Sequence, residues 1–104
     1  MAAEEPIFAV SQIAAVTRRI RALGKLARHL GIENEFLADL TTIAVKLQTE
    51  PVAWGEPEYH PKKEGSVVCH GIAGALFVQF AVFEPERKVT ILRVKPLPGS
   101  PLSS

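Results

Sequence analysis

The chain has 104 residues, of which 47% are hydrophobic and 22% charged, and a formal net charge of +1. That composition excludes a disordered chain, and the near balance of charge excludes nucleic-acid binding driven by bulk charge, so any electrostatic case rests on local distribution. One cysteine, Cys69, excludes an intramolecular disulfide and a multi-cysteine zinc site, and a chain this long supplies one core between two layers.

No apolar run approaches the roughly 20 residues of a membrane span. The opening "MAAEEPIFAV" has two glutamates and no basic residue ahead of its short apolar run. It does not read as a secretory signal, so a cytoplasmic protein with no membrane association is expected.

Ile7 to Val10 reads either as a short strand or as the lead-in to a helix. From Ser11 the pattern turns helical: Ile13, Val16, Ile20, Leu23, Ala27 and Leu30 recur at three- and four-residue spacing along one face. Ser11 is the expected N-cap and Gly31 the expected stop. A second helix is expected from near Asn34, with Phe36, Leu37, Leu40, Ile43, Ala44 and Leu47 on its inner face. Glu33, Glu35 and Asp39 near its start and Lys46 near its end suit the helix dipole. The "GIE" link is short, so the two helices should form an antiparallel hairpin.

Thr49 to Gly65, "TEPVAWGEPEYHPKKEG", is expected to be loop, because its prolines and glycines oppose helix and central strand alike. Three strands should follow, about Ser66 to Ile72, Leu76 to Phe83 and Lys88 to Lys95. Ala73-Gly74 supplies the first turn and Pro85 presets the second. Residues 98–104, rich in proline and serine, read as a flexible tail on a domain spanning 1–97.

If Glu84 and Arg87 flank the second turn, Val82 lies opposite Val89, Phe80 opposite Ile91 and Gln79 opposite Leu92. Leu76, Val78, Phe80, Val82, Val89 and Ile91 then face the helices. Phe77, Gln79, Ala81, Phe83, Thr90, Leu92 and Val94 face the other way. Of these, Phe77, Phe83, Leu92 and Val94 would form an apolar patch large enough to need a cover, which makes them candidate partner-binding residues.

The order of elements, and above all "GALFVQFAVFEPERKVTILRV", resembles the RelE/ParE superfamily of toxins from toxin–antitoxin pairs. The resemblance covers about Ile7 to Leu97. It implies an α+β fold, with an N-terminal helix hairpin on one face of a three- or four-stranded, mostly antiparallel sheet. It also implies a toxin that cleaves messenger RNA on the ribosome or acts on another essential target, neutralised by a partner antitoxin. This chain departs from the family pattern at three points. Phe77 stands where the RNA-cleaving members carry an arginine, Phe80 replaces the usual tyrosine, and a proline tail follows Pro96.

Cleavage of RNA by its own 2′-hydroxyl needs a base, an acid and cations for the phosphorane. His70, on the open face by strand parity, and His60, Lys62 and Lys63 of the preceding loop are the candidate catalytic residues. For His70 the competing reading is an ordinary edge histidine, and for the lysine pair a solvated loop. No carboxylate lies between Glu5 and Glu33, while Arg18, Arg21, Lys25 and Arg28 form a stripe opposite the core face, with Arg19 and His29 beside it. The stripe suits RNA phosphates or a solvated helix surface. Trp54 and Tyr59 are expected to anchor their loop, and Cys69 to be a buried hydrophobe. The histidines lack metal-type spacing, so no metal or cofactor is expected. Two classes of function stay open: a toxin, as a ribosome-dependent nuclease or otherwise, and a non-catalytic interaction module or homodimer on the same scaffold.

Overall fold

The computed structural model describes residues 7–61 and 65–103. In chain order these form β1 (Ala9–Gln12), α1 (Ala14–His29), α2 (Glu33–Thr49), a one-turn helix α3 (Pro51–Trp54), β2 (Glu56–Tyr59), β3 (Ser66–Ala73), β4 (Leu76–Phe83), β5 (Lys88–Pro96) and a 3-10 turn (Pro101–Ser103). The strands make one sheet of order β1-β5-β4-β3-β2, antiparallel except where β1 runs parallel to β5. The α1–α2 hairpin covers one face of this α+β fold.

α1 ends as its sequence suggests. Gly31 takes φ 75°, its N–H donates to Arg28 O at 3.1 Å, and the Ile32 N–H donates to Ala27 O at 2.9 Å. That is the paired closure of a helix end on a left-handed glycine. Its start differs from the expectation. Ser11 does not cap the helix but belongs to β1, pairing with Thr90, and Ile13 precedes the first turn. The short apolar run has gone to the sheet edge, where the Ile7 and Phe8 N–H groups donate to Gln48 O and the Ala9 N–H to Arg87 O.

The core joins Val16, Leu23 and Ala27 of α1 and Phe36, Ile43 and Leu47 of α2 to the helix-facing residues of the sheet. Leu76, Val78, Phe80, Val82 and Val89 are wholly buried there and Ile91 nearly so, all as the alternation requires. Each such side chain contributes about 1.5–3 kcal/mol by leaving water. Leu37 and Ala44, expected on the inner face of α2, are exposed, because the helix seats a narrower stripe than its apolar content offers.

The described part of the segment Thr49 to Gly65, residues 49–61 and 65, is more ordered than its composition suggests. Pro51 starts α3 from the first helical position, where its missing N–H leaves nothing unpaired. Trp54 then stacks on Phe80, with ring centroids 5.9 Å apart, and lies where a Cβ on Gly71 would fall 2.6 Å from the indole. This contact brings the chain back along β3, so that β2, despite Pro57, pairs as an edge strand.

β4 and β5 pair Val82 with Val89 and Phe80 with Ile91, as expected. Gln79 then lies opposite Arg93, not Leu92. Leu92 is one extra residue in a β-bulge, and the alternation after it is out of phase with the alternation before it. Val94 therefore turns towards the helices and is 3% exposed in the core, which removes it from the expected partner-binding patch. The tail also departs from expectation, since the 3-10 turn places Leu102 in the same core.

Candidate functional site

The open face of the sheet is built by register. Glu56 pairs with His70, His70 with Gln79, and Gln79 with Arg93, so one row crosses β2, β3, β4 and β5. A bulge in β2 between Pro57 and Tyr59 brings Glu58 into this row. Glu58 Oε2 lies 2.9 Å from His70 Nδ1, and Gln79 Nε2 donates to Glu58 Oε1 at 2.8 Å. The imidazole is 32% exposed and the carboxylate 25%, so the pair is half-sheltered yet reachable.

A second row lies beside the first. Ile72 pairs with Phe77, and Phe77 with Lys95. The Phe77 ring stacks on His70 with centroids 5.3 Å apart, and Lys95 Nζ lies 5.0 Å from the centre of the same ring. Phe77 is thus a platform between an imidazole and an ammonium group rather than part of a bare apolar patch. Phe77, Phe83 and Leu92 are all half-buried, and the most exposed large hydrophobic residues of the sheet are Tyr59 and Ile72 instead.

With a proton on Nδ1, His70 donates to Glu58 and keeps the lone pair of Nε2 free to accept a proton. Arg93 and Lys95 supply fixed positive charge on the same face. Acid–base chemistry next to an anion is within reach of this set. Among the described residues, no three His, Cys, Asp or Glu side chains converge as metal ligands.

The other sequence candidates are scattered. His60 sits near the β4–β5 turn, with Nδ1 3.3 Å from Ser66 O and Gly65, Glu84 and Pro85 nearby. Lys62 and Lys63 lie outside the described residues. Arg18, Arg21, Lys25 and Arg28 are exposed on the outer surface of α1, across the molecule from the row, and Arg28 pairs with Glu33 at 3.2 Å. Tyr59 is exposed, whereas Trp54 anchors α3. Cys69 is buried, and burial, reinforced by the charge of Glu58, pushes its thiol pKa up, which suits a packing residue.

Sequence reasoning missed Glu58, Gln79's role, Arg93 and Lys95. Glu58 stood in a segment read as loop. The two cations were hidden by the bulge, although the doubled apolar pair Ile91-Leu92, with regular alternation on either side of it, was a readable sign.

No family model matches the chain, and no curated protein matches it significantly. Solved structures do. A chain of the archaeal RelE–RelB complex from Pyrococcus horikoshii OT3 matches with a TM-score of 0.61 and 18% identity, over 90% of this chain and 99% of that one. A chain of the toxin–antitoxin complex RelBE2 from Mycobacterium tuberculosis matches at 0.62 and 18% identity, over 89% and 94%. One from the chromosomal ParDE system of P. aeruginosa matches at 0.62 and 14% identity, over 88% and 97%. The fold is RelE/ParE-like.

Proposed function

We propose that this protein is the toxin of a toxin–antitoxin pair, that it cleaves RNA engaged in translation through its open sheet face, and that a partner antitoxin holds it inactive. The fold it shares with chains of RelE–RelB, RelBE2 and ParDE complexes supports the toxin role. The observation that carries the chemistry is the row Glu58–His70–Gln79–Arg93, with Phe77 and Lys95 beside it.

In this reading a base of the substrate stacks near Phe77 while Arg93 and Lys95 face the scissile phosphate. His70, held through Nδ1 by Glu58, takes the proton of the 2′-hydroxyl. The 2′-oxygen attacks phosphorus, Arg93 and Lys95 offset the charge on the phosphorane oxygens, and the 5′-oxygen leaves with a proton from water, whose hydroxide takes back the proton held on His70. The products are a 2′,3′-cyclic phosphate and a 5′-hydroxyl. A general base of this kind contributes about 10²–10⁴-fold.

Translation-coupled cleavage by the wild type, His70→Ala, Glu58→Gln and Arg93→Gln tests the assignment. His70→Ala should lose about 10²-fold or more, with the other two intermediate. Equal cleavage by His70→Ala would remove this residue from the reaction. A wild type that does not cleave would favour the interaction-module reading, which the apolar Phe77 on the middle strand supports.

A further inference from the structure

The two helices of the hairpin turn different surfaces outward. α1 presents its basic stripe, whereas the exposed face of α2 between Glu35 and Lys46 carries no charge. A surface helix ordinarily places charged residues on the side opposite the core. Here Leu37 is 50% exposed and Val45 46%, with Ala38, Thr41 and Ala44 exposed between them. Asp39, the one ionisable residue in that stretch, is turned away, and its Oδ2 accepts the Ala75 N–H at 3.1 Å. Thr41 Oγ1 donates to Leu37 O at 2.9 Å and Thr42 Oγ1 to Ala38 O at 3.1 Å, so both hydroxyls are satisfied within the helix.

We infer that this face of α2 docks a second copy of the chain, whose own α2 lies antiparallel across a two-fold axis near Thr41. Such an axis sets Leu37 opposite Val45, Ala38 opposite Ala44 and Asn34 opposite Gln48, so apolar side chains meet apolar ones and an amide meets an amide. It also sets the positive end of one helix dipole, with Glu33 and Glu35, beside the negative end of the other, with Lys46. The basic stripe of α1 does not oppose the contact. The α2 residues that meet α1 are Glu33, paired with Arg28 at 3.2 Å, and Phe36, 3.4 Å from where a Cβ on Gly24 would lie. At 3.6 residues per turn both lie about 120–180° round the helix from Ala38 and Val45, so α1 is set back from the docked copy. A nucleic-acid strand finds no cation on this face. A foreign helix would match its apolar row, but the self-complementary order about Thr41 requires only the chain itself.

The inference goes beyond the proposed toxin reading and does not depend on it. The helices cover the sheet face opposite the His70 row, so docking through α2 leaves the open face of each copy uncovered and turns the two faces to opposite sides of the pair. One helix face is well below the roughly 800 Å² per partner of a standard interface, so the association should be weak, with a Kd of about 0.1 mM.

Sedimentation equilibrium of the full chain between about 10 μM and 1 mM tests this, and the wild type should pass from monomer to dimer across that range. Thr41→Glu, which sets two carboxylates against each other at the axis, should raise Kd about tenfold or more. Leu37→Lys and Val45→Glu should each weaken the dimer. The double variant, in which each new ammonium meets a new carboxylate of the other copy, should recover it. All three positions are exposed, and helical circular dichroism of each variant checks that the fold is retained. A wild type that stays monomeric at the highest concentration would overturn the inference and leave the face to another protein. A dimer that Thr41→Glu leaves intact would also overturn it, because that dimer uses a different surface. So would a double variant that associates no better than either single one, because the antiparallel register requires the rescue.

Discussion

The two halves of β5 make an instructive pair. Lys88 to Ile91 is a strand between neighbours: Val89 and Ile91 point into the core, and Lys88 and Thr90 point out. Leu92 to Pro96 has the same alternation of apolar and polar residues but one residue out of phase, and among the described residues it has a strand neighbour on one side only. The first half is spent on packing. The second carries the charge of the open face, Arg93 and Lys95. A single inserted residue separates structural from functional use of one strand, as bulges commonly do near sites.

If the bulge is the divider, side chains on its two sides should weigh equally where both face the core. Val94→Ala should cost about 2 kcal/mol, matching Val89→Ala, while Leu92→Ala should cost well under that. Denaturant midpoints of the three variants check this. A Val94→Ala variant as stable as the wild type would return Val94 to the open face.

A sharper test removes the bulge. Deleting Leu92 leaves Ile91 inward, Arg93 outward and Val94 inward in unbroken alternation, so the chain should fold with a loss of about 1 kcal/mol or less, unusual for a deletion within a sheet. The amide pattern of β4 should be retained. Loss of folding would mean that the extra residue is needed for the strand to bend.

The smallest effect on stability is expected at the α1 surface, which neither half of β5 touches. Arg21→Gln, Lys25→Gln and Arg28→Gln, made together, should leave stability within about 0.5 kcal/mol. If the stripe meets RNA phosphates, ribosome binding should weaken and its dependence on salt should flatten. An unchanged slope would mark the stripe as solvated surface.

The helix-facing half of the molecule was legible because burial imposes a period, and Leu76, Val78, Phe80 and Val82 obey it without exception. The Gly31 stop was legible because only a left-handed position favours glycine so strongly there. β2 was not. Its residues Glu56, Pro57, Glu58 and Tyr59 are all exposed, and an edge strand with no buried side chain leaves no apolar pattern to read. His70 was placed on the correct face by parity, whereas its partner Glu58 is brought to it by a pairing between segments more than ten residues apart. Arg93 and Lys95 were missed for a local reason, since alternation extrapolated through Ile91-Leu92 gives each residue beyond it the wrong face.

The lodging of Trp54 against Phe80 and over Gly71 has an optical consequence. It is the only tryptophan in the chain, so all indole emission comes from the joint that returns β2, and with it Glu58, to the sheet. Steady-state emission and quenching by a small solute therefore report directly on whether that joint is closed. A red shift that precedes the global loss of helical circular dichroism on heating would time the release of Glu58 from His70 as an event separate from unfolding.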